Sequence, residues 1–297
     1  MYNIIKNQLK KNQTIYFFLY YFKEKLKGNY SKSNIIENYK WLTNSNEKFI
    51  FIATFYSSGW NLIKNVLNYY YNKKLHKNNF LVFDQDNYLY TKKFKTEINT
   101  VTDLRGTEQL HKEVLTPFKL IHTHYSLKDT PFLKQRFNSK KKIFLIRDPL
   151  STLKSFFNKK SAGKNFNQTF EEFKQEWLCK LIDFYNSYEI YLLDKKNTHL
   201  IFAKDLYSET QKKETFKKLF KFCNDFEIEE EILNEALDFY SLANEKSRNK
   251  KNITWYKMGL ANYIHLYNEP EKEYILNELK LKLNPNVYNL FEKELLV

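Results

Sequence analysis

Two segments roughly ninety residues apart carry side chains suited to holding two phosphate-like groups. The first runs Thr54-Phe55-Tyr56-Ser57-Ser58-Gly59-Trp60-Asn61-Leu62-Ile63-Lys64. Gly59 lets the backbone wrap an anion, and the hydroxyls of Ser57 and Ser58 and the Asn61 amide add donors. The stretch lacks the G-x-x-x-x-G-K-[ST] pattern of a Walker loop. The second runs Arg147-Asp148-Pro149-Leu150-Ser151-Thr152-Leu153-Lys154-Ser155. Arg147 offers a planar fork that grips phosphate, and Ser155 adds a hydroxyl two helical turns on. Each segment reads as strand, sharp turn and helix start, where free N–H groups and the helix dipole favour an anion.

His122-Thr123-His124 is the third constellation. Strand residues two apart share a face. Three chemistries fit the residues: a pair of metal ligands, a general base working near neutral pH, or a histidine hydrogen-bonded at a strand end. No further Cys, His or carboxylate stands at a spacing that completes a metal set. His76, His111, His199 and His265 have no constellation around them. The basic run Arg248-Asn249-Lys250-Lys251, followed by Trp255-Tyr256-Lys257-Met258-Gly259, could close over a phosphate or simply be solvated.

The elements that must position these groups follow from periodicity. Residues 1–45 read as helical decoration. Residues 48–55 form a strand, and 60–72 a helix with Leu62, Ile63, Val66, Leu67 and Tyr70 on one face. Phe80–Phe83 is a short strand and 84–115 is irregular. Lys119–His124 and 141–147 are strands. Residues 149–159 form a helix with Pro149 at its first position and Asp148 as its cap. Thr169–Leu193 is a long helix opened by a Thr169/Glu172 capping box. His199–Ala203 is a strand, and 211–223, 228–240 and 270–282 are helices. Strands alternating with helices imply an α/β, three-layer fold with a mostly parallel central sheet flanked by helices. Ligands then bind beyond the carboxyl ends of the strands, where Ser57 to Gly59, His124 and Arg147 all fall.

The chain has 297 residues, with five Gly and five Pro, no linker and no repeat. Residues 46–297 are therefore expected to be one domain. The net charge of +15 comes almost wholly from Lys, since only four of 49 basic residues are Arg. Dispersed Lys reads as solvated faces rather than a nucleic-acid surface. Cys179 and Cys223 sit in helical patterns and make no disulfide framework, which suits a reducing, cytoplasmic compartment. The apolar run 15–22 is shorter than the ~20 residues a span needs. It reads as a packed or surface-lying aromatic helix, with peripheral membrane contact as the alternative.

Taken in order, these motifs resemble the sulfotransferases that use 3′-phosphoadenosine 5′-phosphosulfate (PAPS), a P-loop-like α/β family. Its first signature, T-Y-P-K-S-G-T-T-W-L or S-G-N-T-W-L-R in many carbohydrate-modifying members, falls without a gap on Thr54 to Lys64. Its K-T-H falls on His122-Thr123-His124. Its R-N-x-x-D-V-x-x-S falls on Arg147 and Ser155 at the matching spacing of eight. Its Y-E-D-L falls on Ala203-Lys204-Asp205-Leu206, a Ser-Phe pair near adenine on Ser241-Leu242, and the C-terminal R-K-G-x-x-G-x-W loop on Tyr256 to Tyr263. The likeness covers about residues 48–265. Ser57 stands where the family has a basic residue, Trp60 where a small one is usual, Leu62 for the Trp that stacks on adenine, and Ala203 for the Tyr.

The resemblance implies transfer of a sulfuryl group from PAPS to an acceptor hydroxyl of a carbohydrate or small molecule, without metal. It implies that Ser57, Ser58, Gly59, Trp60, Asn61 and Leu62 hold the 5′-phosphosulfate side. Arg147 and Ser155 would hold the 3′-phosphate, with Ser241 and Lys257 as further cofactor contacts. His124 would be the catalytic base. Two other readings stand beside it: a PAPS/PAP-binding pseudoenzyme, supported by Ser57, and a nucleotide kinase, which would need a Walker lysine.

Overall fold

A parallel strand covered on both faces needs a continuous apolar run. Two such runs form the centre of the sheet, β1 (Phe49–Thr54) and its neighbour β5 (Lys141–Ile146). The structure, a computed structural model, describes residues 49–75, 99–103, 111–114, 119–124, 126–127, 140–162, 166–223, 225–241 and 267–295. The expected decoration at 1–45 with its 15–22 run, the strand Phe80–Phe83 and the loop carrying Lys257 lie outside these residues. The other strands are β2 (Asn99–Asp103), β3 (His111–Val114), β4 (Lys119–Thr123) and β6 (Thr198–Phe202). Their order is β3-β2-β4-β1-β5-β6. All neighbours are parallel except β3, which is antiparallel to β2 at one edge.

Side chains alternate across a strand, and that alternation makes the three layers. Ile50 and Ile52 of β1, Ile143 and Leu145 of β5 and Ile201 of β6 face one way. They meet α1 (Trp60–Leu75), α6 (Lys212–Phe222) and α7 (Glu230–Phe239) through residues such as Ile63, Val66, Phe216, Phe220 and Leu233. Phe51, Ala53, Phe144 and Ile146 face the other way. They meet α2 (Pro149–Ser161), α3 (Phe170–Ser187), α8 (Glu269–Lys282) and α9 (Pro285–Leu295). Each fully buried Leu, Ile or Phe here contributes roughly 1.5–3 kcal/mol of transfer free energy.

Helix starts match their local chemistry. Asp148 accepts from the Ser151 N–H at 2.8 Å, with Pro149 in the first turn. Thr169 and Glu172 complete the capping box in both directions. Four expectations change. Strands β2 and β3 lie inside the stretch expected to be irregular; Asn-Thr-Val-Thr-Asp and His-Lys-Glu-Val have no apolar run, and backbone pairing, β2 with β4 and β3 with β2, supplies what periodicity did not. The long helix stops at Ser187, where the hydroxyl donates to the Phe184 carbonyl at 2.7 Å, and a short α4 (Glu189–Leu192) follows. Buried Tyr188 turns there onto Phe144. Ala203 opens a helix, α5 (Ala203–Tyr207), because β5 ends at Ile146 and pairs no further than Phe202. Helix α9 was not expected; Val287 and Phe291, both 1 % exposed, carry its buried face.

Candidate functional site

The carboxyl ends of β4, β1 and β5 lie side by side, and the three sequence constellations meet there. Between β1 and α1 the chain turns through two left-handed residues, Ser57 at φ +58 and Gly59 at φ +105. Ser58 between them does not share that sign. Such alternation is the backbone pattern that gathers successive N–H groups into an anion-binding concavity. Gly59 is required twice over. An L side chain is strained at its φ, and a Cβ there would stand 2.6 Å from the Tyr207 hydroxyl oxygen. Helix α1 then begins, with the Leu62 N–H donating to the Gly59 carbonyl at 3.1 Å.

Ser58 is 1 % exposed, and its hydroxyl oxygen has no hydrogen-bond partner among the described residues. The Thr152 hydroxyl, in the first turn of α2, is buried in the same state. Buried polar atoms are almost always paired, with protein, water or a bound group, so both hydroxyls are open to such a partner. Arg147 follows β5 and is 5 % exposed. Its Nη1 donates to the Ser57 carbonyl at 2.7 Å, which ties the two strand–helix junctions together. Ser155 is buried on α2. Its neighbour Lys154 lies 3.7 Å from the Phe170 ring centre. Burial holds the Lys154 ammonium below the usual lysine range, while Glu271 pulls the other way.

His124 directly follows β4. Its Nδ1 lies 2.9 Å from the Thr54 carbonyl oxygen and 3.1 Å from the Thr54 hydroxyl. A carbonyl only accepts, so Nδ1–H donates and the neutral ring keeps its lone pair on Nε2. Tyr56 stacks on His124 with 4.5 Å between centroids, and its ring also lies parallel to Phe156 at 4.6 Å. The general base expected from the sequence is thus a ring with a fixed tautomer and a fixed plane.

Of the remaining expected residues, Trp60 is buried and stacks on His122. Asn61 is exposed in the first turn of α1, and Leu62 packs at the edge of the core. Ser241 is half-buried just beyond α7, its N–H donating to the Asp238 carbonyl. Lys257 lies outside the described residues. Three contributors were missed. Thr54 had a signal, a polar residue closing the apolar run of β1. Tyr56 lay inside the first motif and was passed over. Tyr207 had none, since only the fold brings α5 to Gly59. Among the described residues no group of three His, Cys, Asp or Glu is placed to hold a metal ion, and no helix is long and apolar enough to cross a membrane.

No family model matches the chain, and the search of curated proteins finds no match. Solved structures do. Mouse sulfotransferase SULT7A1 complexed with PAP superposes with a TM-score of 0.58 at 17 % identity, covering 84 % of this chain and 89 % of that one. Retinol dehydratase with androsterone and the inactive cofactor PAP gives 0.54 at 13 %, covering 82 % and 83 %. Retinol dehydratase with retinol and PAP gives 0.51 at 13 %, covering 82 % and 84 %. The chain has the α/β fold of the PAPS-dependent sulfotransferases.

Proposed function

We propose that this chain is a sulfotransferase moving a sulfuryl group from PAPS to an acceptor hydroxyl. The observation that carries the reading is the convergence at the carboxyl ends of β4, β1 and β5 of an anion-binding turn with an orphaned Ser58 hydroxyl, a buried Arg147 and a His124 whose Nδ1 faces a carbonyl. An orphaned Ser58 hydroxyl, next in the chain to the carbonyl that the buried Arg147 guanidinium grips, is what an anionic cofactor would satisfy, so the residues fit the group. When bound, PAPS supplies the sulfuryl group and a phosphoadenosine leaving group.

The chain's own residues then divide the work. The turn Ser57 to Leu62 holds the 5′ side through backbone donors and the Ser58 hydroxyl. Arg147 and Ser155 hold the 3′-phosphate, and Ser241 and Lys257 flank the cofactor. His124 Nε2 accepts the acceptor's hydroxyl proton as the oxygen becomes nucleophilic. The resulting imidazolium is stabilised through Nδ1–H by the Thr54 carbonyl. Most of the rate comes from positioning and charge stabilisation, as in phosphoryl transfer. For the acceptor we infer a carbohydrate hydroxyl, on the style of the Ser-Gly signature. The solved structures of this fold that hold androsterone or retinol add steroids and retinoids to the panel.

The deciding experiment is calorimetric titration with adenosine 3′,5′-bisphosphate, against ATP–Mg²⁺ and against Arg147→Ala, followed by radiolabelled sulfuryl transfer over that panel. Binding of the bisphosphate, lost in the variant and not matched by ATP, is expected; a preference for ATP would overturn the reading. A second reading, a cofactor-binding pseudoenzyme, rests on Ser57, which puts no cation beside the transferred group. It predicts bisphosphate binding with no transfer to any acceptor.

A further inference from the structure

His122 is joined to His124 by one hydroxyl. Its Nε2 lies 2.9 Å from Thr54 Oγ1, the same oxygen that lies 3.1 Å from His124 Nδ1. His122 is 2 % exposed, and its ring stacks on Trp60 with 4.6 Å between centroids. The β1–β4 register sets this up. Ile52 pairs with His122 and Ala53 with Thr123, so Thr54 comes level with His124.

A threonine hydroxyl has one proton to give. His124 Nδ1 already carries a proton, because it faces the Thr54 carbonyl. The arrangement that gives this proton a partner between the two rings has His122 Nε2 as its acceptor. Oγ1 then turns a lone pair toward His124. Both Thr54 oxygens present lone pairs to Nδ1, and the basic nitrogen of His124 is held at Nε2. Without the acceptor at 122, the hydroxyl proton can swing to His124 Nδ1 and favour the opposite tautomer, whose Nε2 is protonated and cannot serve as a base.

We infer that His122 is a positioning residue for the base His124, acting through the Thr54 hydroxyl; this rests on the role given to His124 above. It also joins two departures from the family pattern. A lysine in place of His122 would be a donor only and could not take the hydroxyl proton. The bulky Trp60, where the family has a small residue, is the surface that holds the His122 ring. The two substitutions touch, and together they make the acceptor.

The test is nitrogen-15 NMR of the histidine rings in the full chain without ligand, at a pH above imidazole titration. The expected spectrum shows His124 protonated at Nδ1, and His122 protonated at Nδ1 with Nε2 accepting. His122→Phe, which keeps a ring against Trp60, should raise the Nε2–H form of His124 from a trace to a comparable share. His122→Gln, whose side-chain oxygen accepts, should restore the first pattern. In turnover His122→Phe should lower kcat about twofold, the share of the base-competent tautomer that is lost, with bisphosphate affinity unchanged. His122→Gln should recover most of it. A wild-type His122 protonated at Nε2, or a His124 tautomer indifferent to His122→Phe, would overturn the inference. Should the Phe variant fail to fold, the wild-type spectrum alone decides. The stated tautomers with no transfer to any acceptor would keep the hydrogen-bond chain and sink the transferase reading alone.

Discussion

Gly59→Ala tests the turn that the whole site is built on. Two costs add. A residue with a side chain at φ +105 is strained by roughly 1–3 kcal/mol. The new Cβ would also stand 2.6 Å from the Tyr207 hydroxyl oxygen, while the next neighbours, Tyr207 Cζ at 3.5 Å and Leu145 Cδ2 at 3.7 Å, are ordinary contacts. Tyr207→Phe removes only the offending oxygen. A double-mutant cycle therefore separates the terms. Gly59→Ala is expected to cost about 3 kcal/mol in the native background and about 1 kcal/mol less in the Tyr207→Phe variant. The assay is urea unfolding with unchanged slope, backed by bisphosphate titration. Relief of strain by an altered turn would lower affinity by tens of fold instead. A neutral Gly59→Ala, or an undiminished cost when Tyr207→Phe is already present, would refute the geometry described for the turn.

His124→Ala should reduce sulfuryl transfer to near background while bisphosphate affinity holds; loss of both would remove it from the role of base. Leu153, fully buried between α2 and the sheet, should cost about 2–5 kcal/mol when cut to Ala, read as a fall in the urea midpoint. His199 lies on β6, near the strand's start, with an unpartnered Nε2. Burial, helped by Lys218, pushes its pKa down to about 4. The unfolded chain, with histidine near its ordinary 6.5, binds that proton first. Stability should therefore fall as pH drops from about 6.5 toward 4, by about 3 kcal/mol, and level off below. His199→Phe should flatten that slope in pH-resolved thermal melts.

The centre of the sheet was legible because β1 and β5 are apolar on both faces, and a strand with that pattern has one home. The caps at Asp148 and Thr169 were legible because capping is local. Strands β2 and β3 were not: Asn99–Asp103 and His111–Val114 are held by backbone pairing with neighbours, which leaves no periodic mark. The break at Ser187 was hidden because its cause is a side chain reaching back one turn, inside an otherwise helical pattern. In the site, Ser58, Arg147 and His124 could be named because each ends or follows a strand. Thr54 as the link between two histidines could not, since it depends on the β1–β4 register. Tyr207 meets Gly59 only through tertiary packing.

The bond from Arg147 to the Ser57 carbonyl has a consequence in time rather than in space. A guanidinium has five N–H donors, so the bond to this carbonyl uses only part of its capacity. Opening the turn first requires breaking a charge-assisted bond worth about 1.5–3 kcal/mol, which makes spontaneous opening tens of times rarer. The two strand–helix junctions are therefore coupled through this one bond. Under the proposed function, a cofactor that meets one of them would find the other already in place, with less ordering entropy left to oppose its binding.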